Sequence, residues 1–156
     1  MILEERIRAI VAAHFENTSC FLADVKISKT GQRIAVFVDD LEKNISIDKC
    51  AKLSRLIEQI VEEEELVPEK YVLEVSSPGM ENPFKVPQQF QKNMGRNIVV
   101  LLKDGIVLEG LLKKYDGTNI EIESHYKESK KAQPKIIKET IALDTVKTVK
   151  KKITFK

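Results

Sequence analysis

The residues best suited to chemistry in this chain are lysines, and they come in groups. Lys113-Lys114, Lys127 with Lys130 and Lys131, and Lys150-Lys151-Lys152 form three clusters, with Lys85, Lys92 and Arg96 upstream of them. Clustered ammonium groups neutralise backbone phosphates and release counterions, so salt-dependent nucleic-acid binding is the chemistry they fit. Aromatic rings for base stacking are scarce, at three Tyr, six Phe and no Trp. Tyr115 and Tyr126 have lysine neighbours, Lys114 and Lys127. Phosphate contact is therefore expected over sequence-specific base readout. Taken singly, any one of these lysines also serves plain solubility.

Catalytic constellations are not found. The glycines at 31, 79, 95, 105, 110 and 117 give neither Gly-x-Gly-x-x-Gly nor a phosphate-cradling Gly-x-x-x-x-Gly-Lys, and Gly-x-Ser-x-Gly is absent. Asp39-Asp40 at a strand end is expected to be a solvated turn, a divalent-cation site being the lesser reading. His14 falls on the apolar side of a helix and is expected to be a packed core histidine. His125 is expected in a polar loop without a sequence-near partner. Cys20 and Cys50 form no Cys-x-x-Cys pair and are expected to be reduced thiols filling core positions. With two His in the chain, a structural zinc is not expected. No catalytic residue, metal, cofactor or small-molecule substrate is expected.

The positioning elements follow from periodicity. Leu3, Ile7, Ile10, Val11 and His14 lie at helical spacing. From Cys20 the period becomes two, with Phe21, Ala23, Val25 and Ile27 on one face and Leu22, Asp24, Lys26 and Ser28 on the other. Lys29-Thr30-Gly31-Gln32 turns the chain, and Ile34, Val36 and Val38 complete a hairpin. Ser46 caps a second helix whose buried stripe is Cys50, Leu53, Ile57, Ile60 and Val61. Glu62-Glu63-Glu64-Glu65 closes it, unfavourably for the helix dipole, so fraying is expected unless basic neighbours compensate. Tyr71, Leu73 and Val75 make a third strand. The order α-β-β-α-β predicts a two-layer unit with both helices on one sheet face.

Ser76-Ser77-Pro78-Gly79 and Asn82-Pro83 then punctuate the chain, making 77–84 a short, stiff linker. A helical turn at 88–93 precedes five short strands, near 97–103, 106–115, 120–123, 136–142 and 146–155. Asp104-Gly105 and Asp116-Gly117 supply turns. Five strands in so short a stretch predict a small Sm- or SH3-like β-barrel.

The 156 residues suit one medium or two small domains. A hydrophobic fraction of 42% and mean hydropathy of −0.23 fit a globular chain. No apolar run exceeds five residues, against the 20 or so a membrane helix needs. The start, Met1-Ile2-Leu3-Glu4-Glu5-Arg6, mixes acids and bases, so no secretory signal is expected. Residues 1–82 hold 10 Lys and Arg against 16 Asp and Glu, a balance of −6; residues 83–156 hold 16 against 8, a balance of +8. The expected organisation is α+β, an acidic N-terminal α/β domain at 1–82 and a basic C-terminal barrel at 83–156, facing different partners.

Tyr71-Val72-Leu73-Glu74-Val75-Ser76-Ser77-Pro78-Gly79 resembles the mark of the bacterial ribosome maturation factor RimP family, a Leu-Glu-Val-Ser-Ser-Pro-Gly strand and turn. Asp39-Asp40, Ser46-Ile47-Asp48 with Cys50 and Leu53-Ser54, and Phe90, Gly95-Arg96 and Val99 also stand where that family has similar residues. The resemblance covers essentially the whole chain. It departs after Gly79, where the family commonly has Leu, Asp, Arg and Pro and this chain has Met80-Glu81-Asn82-Pro83. The family's basic contact there is then missing or passes to Lys85. The resemblance implies a cytoplasmic, non-enzymatic factor that binds the immature small ribosomal subunit through rRNA and a ribosomal protein. It implies an N-terminal α/β domain followed by an Sm- or SH3-like barrel. Glu74, Ser76, Ser77, Pro78 and Gly79 would then set the angle between the domains, with Gly79 permitting a sharp turn. A monomer without membrane contact is expected. The competing reading is a protein-binding module whose barrel docks a peptide without RNA.

Overall fold

A computed structural model describes residues 2–79, 82–126 and 129–152. The chain divides into two compact units, Met1–Pro78 and Gly79–Lys156.

In the first unit, α1 (Ile2–His14) and α2 (Ile47–Glu63) pack on a three-stranded sheet of β1 (Cys20–Ile27), β2 (Arg33–Asp40) and β3 (Val72–Ser76), in the order β1-β2-β3. β1 and β2 form an antiparallel hairpin, while β3 runs parallel to β2. A parallel neighbour needs a crossover, and α2 lies between β2 and β3 in the chain. The core gathers Leu3, Ile7, Ile10 and Val11 of α1, Leu53, Ile57 and Val61 of α2, and Ile34, Val36 and Val38 of β2.

Two expectations fail here. Ala23 is an extra residue, because Leu22 pairs with Val38 and Asp24 with Phe37. Such a bulge shifts the alternation by one. Cys20, Leu22, Val25 and Ile27 therefore join the helix-covered core, while Phe21 and Ala23 are buried outside it. His14 is exposed rather than core-packed. The helix ends on it, and Phe15 turns in to occupy the buried place.

Ser46 accepts the Lys49 N–H at 3.2 Å and caps α2. At its other end no basic residue lies in the last turn, yet Arg6 of α1 forks onto the Glu64 carboxylate at 2.9 and 2.7 Å. Beyond it the Leu66 N–H reaches Val61 O and the Glu65 N–H reaches Glu62 O. This is a Schellman ending with Glu65 at φ +50°, where glycine is the usual occupant. Replacing Glu65 with Gly relieves a strain of about 1 kcal/mol and removes a like charge. The expected result is a higher urea midpoint followed by circular dichroism; a lower one would contradict this reading.

In the second unit a short helix, α3 (Pro87–Lys92), precedes β4 (Asn97–Leu102), β5 (Val107–Tyr115), β6 (Asn119–Tyr126), β7 (Lys135–Ala142) and β8 (Val146–Lys151). All pairings are antiparallel, in the order β7-β6-β5-β4-β8. Ile98, Val100, Leu112, Ile120, Ile122, Ile141 and Val149 form its core.

The sheet is strongly rolled. Its edge strands β7 and β8 would lie about 19 Å apart if it were flat. Only the 3-10 turn Leu143–Thr145 joins them, a stretch that reaches about 14 Å at most. Leu143 N–H bonds to Thr118 O, in the β5–β6 turn, and Thr145 O accepts the Lys103 N–H, in the β4–β5 turn, both at 2.9 Å. One short turn thus binds the turns at both ends of β5. Among the described residues no ladder pairs β7 with β8, so no hydrogen-bonded closed barrel is observed. The outer edge of β8 is met by Phe84, whose N–H donates to Val149 O at 2.7 Å, which protects it from pairing with another strand.

Candidate nucleic-acid interface

The surface around α3 is built on buried amides. Gln89 Oε1 accepts from the Lys85 and Val86 N–H groups, and Asn93 Nδ2 donates to Gln89 O at 2.7 Å. Gln89 and Asn93 are both buried; polar letters in a short segment gave no sign of this. Phe90 lies edge-on to Phe84 and stacks on Tyr115 at 4.5 Å. Tyr115, noted in the sequence for its neighbour Lys114, is half-buried and has Phe90 against one face of its ring.

This framework fixes Arg96 beside the end of β5. Gly95 N–H donates to Leu112 O at 2.7 Å and Leu112 N–H to Arg96 O at 2.9 Å. Immediately after Leu112 the β5–β6 register slips, with Lys113 as the extra residue. Bulges re-aim side chains, and here Lys113 and Lys114 are both exposed. Lys114 Nζ lies 3.6 Å from Glu121 Oε2. Arg96, Lys113 and Lys114 are therefore held at one end of the sheet. Beside them opens a cleft of about 450 Å³ whose lining includes Met94, Lys113, Lys114, Tyr115, Asn119 and Thr140.

The other cations are distributed differently. Strand alternation splits the Lys150-Lys151-Lys152 triplet: Lys151 pairs with Ile98 and shares its face, while Lys150 pairs with Val99 on the outer face. Lys152 Nζ makes an ion pair with Glu109 at 3.1 Å. Lys150 and Lys151 are both half-buried, as is Lys92. Lys85 is exposed before α3, and Lys130 and Lys131 are exposed in the turn ahead of β7; Lys127 and the Tyr126 side chain lie outside the described residues.

Glu74 and Ser76 are exposed on β3, in register with Ala35 and Phe37. Gly79 does not take a left-handed φ, and a Cβ there would meet no atom within 4 Å. The left-handed backbone expected to let it turn sharply is therefore not used at Gly79, whose carbonyl oxygen accepts the Asn82 N–H at 3.1 Å. His125 lies on β6 rather than in a loop, with Nε2 3.6 Å from Glu123 Oε1.

The strongest departure from expectation is Asp39-Asp40, which is buried rather than solvated, Asp40 fully so. Asp40 Oδ1 accepts the Ser19 hydroxyl at 2.7 Å and the Glu42 N–H at 2.9 Å. Its Oδ2 accepts the Cys20 thiol at 3.6 Å and lies 3.8 Å from Lys49 Nζ. Burial pushes this carboxyl up, but the bonds from Ser19, Glu42 and Cys20 and the Lys49 charge outweigh it, leaving the pKa below the ordinary value. Cys20 and Cys50 are buried free thiols, both pushed up, first by burial. That suits core positions rather than reactive nucleophiles.

These features define an α+β chain of two compact units whose clustered surface chemistry is suited to binding. Residues 10–81, just under half of the chain, match the family model described as the RimP N-terminal domain, a match that supports the RimP family. That is a family of ribosome maturation factors, generally non-enzymatic. No helix among the described residues is long and apolar enough to cross a membrane.

Proposed function

We propose that this protein is a cytoplasmic, non-enzymatic assembly factor that binds the immature small ribosomal subunit, contacting rRNA and a ribosomal protein. The observation that carries the reading is the RimP N-terminal domain at 10–81 followed by residues 83–156 with a charge of +8. The acidic domain, 1–82, faces a basic ribosomal protein, and the basic domain, 83–156, faces rRNA, the protein acting as a monomer. The rolled order β7-β6-β5-β4-β8, with a 3-10 turn joining its edges, supports an Sm- or SH3-like barrel for the second domain. Transient docking would hold a folding rRNA region or a ribosomal protein in a productive arrangement. A peptide-docking barrel would call for clustered exposed aromatics, whereas Tyr115 is half-buried against Phe90.

The test is the salt dependence of binding to a small-subunit rRNA fragment, followed by fluorescence anisotropy. Each phosphate-contacting lysine contributes about one unit to the slope of log K against log salt. Lys113→Glu with Lys114→Glu is therefore expected to weaken binding and to flatten the slope by about 2. An unchanged slope would remove these lysines from the interface.

A further inference from the structure

The cleft beside the β5–β6 turn has a lining that phosphate contact alone does not require. Its volume, about 450 Å³, lies within the roughly 300–1,000 Å³ typical of small-ligand sites. Met94 and Tyr115 give it apolar surface, Asn119 and Thr140 give it neutral hydrogen-bonding groups, and Lys113 and Lys114 give it positive charge. One wall is preformed. Asp116 Oδ1 accepts the Thr118 and Asn119 N–H groups at 2.9 and 2.7 Å, and Asp116 N–H donates to Asn119 O at 3.2 Å. The Tyr115 ring is held by Phe90, parallel to within 5°. A site whose walls are fixed before binding loses little freedom when it is filled.

A flat aromatic ligand bearing polar edges and a phosphate matches this combination of surfaces. In a structured RNA, such a group is presented by a nucleotide out of the helical stack, where its edge and face are accessible. We propose that this cleft receives one unstacked nucleotide of a bulge or loop, with its base against Met94 and Tyr115 and its phosphate toward Lys113 and Arg96. The proposal rests on the rRNA-facing reading above and adds a defined subsite to it.

The carboxylates in the lining set a preference. Asp116 and Glu121 also border the cleft, and Glu121 is already paired with Lys114. Acceptors of this kind favour a base edge rich in donors. Guanine offers N1–H and an exocyclic amine, whereas uracil offers a single N–H. Guanosine is therefore the preferred occupant and uridine the poor one.

Three fluorescein-labelled RNA hairpins, identical except for one unpaired guanosine, one unpaired uridine or no unpaired nucleotide, test this by anisotropy with the full chain. The guanosine bulge is expected to bind at least tenfold more tightly than the uninterrupted hairpin, with the uridine bulge between them. Asn119→Ala and, separately, Thr140→Val should collapse that difference, each variant first checked for native circular dichroism. Equal, measurable affinity for all three hairpins would overturn the subsite, as would an affinity difference that survives both variants. Failure to bind any hairpin while the protein still sediments with small subunits would overturn the subsite and leave the assembly-factor reading standing. Failure of both would overturn the two together.

Discussion

Gly110→Val is expected to destabilise the C-terminal unit by about 3 kcal/mol or more, a large share of the 5–15 kcal/mol that holds a typical domain folded. Gly110 lies on β5, opposite Ile98 of β4. A Cβ built on it would stand 2.8 Å from the carbonyl oxygen of Glu123 and 3.1 Å from its carbonyl carbon. Those are backbone atoms of β6, so no side-chain rotation relieves the overlap. The β5–β6 pairing must separate, and with it the bulge that presents Lys113 and Lys114. Urea denaturation followed by far-ultraviolet circular dichroism should show an early transition, and RNA affinity should fall with it. A midpoint equal to the parent's would mean that the two strands are not this close.

Asp40→Ala carries the second large effect, about 2–3 kcal/mol at neutral pH, from leaving the Ser19 hydroxyl and the Glu42 N–H without their acceptor in a buried site. The same network gives a pH dependence whose sign is fixed. Because the folded-state pKa lies below the ordinary value, ionised Asp40 contributes its stability above the unfolded value of about 4. That contribution is lost as the pH falls through the lower folded value. Asp40→Asn keeps the shape while removing the charge, so its stability should change less than the parent's below pH 4 or so. Parallel acid-stability curves for the two proteins would show that Asp40 is not held as an anion.

Much of the architecture was legible because helices and strands write their burial locally. Leu3, Ile7, Ile10 and Val11, and Cys50, Leu53, Ile57 and Val61, are buried as their spacing predicts. Asp104-Gly105 and Asp116-Gly117 are turns with positive φ at Gly105 and Gly117, +94° and +88°. What escaped was whatever depends on a partner far along the chain. The bulge at Ala23 exists only in relation to Val38 and Phe37, and counting by twos places Phe21 on the wrong face. Asp39-Asp40 has the composition of a surface turn, and the Ser19 hydroxyl that satisfies Asp40 is 21 residues away. In the candidate site every lysine could be named, but not which share a face. The pairing of Gly95 and Arg96 with Leu112 brings Arg96 to Lys113, and strand alternation divides Lys150 from Lys151.

Binding to an immature small subunit is the central claim, and co-sedimentation tests it most directly. The purified chain is mixed with free small subunits, large subunits and whole ribosomes across a salt series. It is expected to pellet with free, preferentially immature, small subunits and to lose that association steeply as salt rises. Lys150, Lys151 and Lys152 changed together to Glu should weaken it further, with the outward Lys150 and Lys152 carrying most of the effect. Absence from every pellet at low salt would contradict the account.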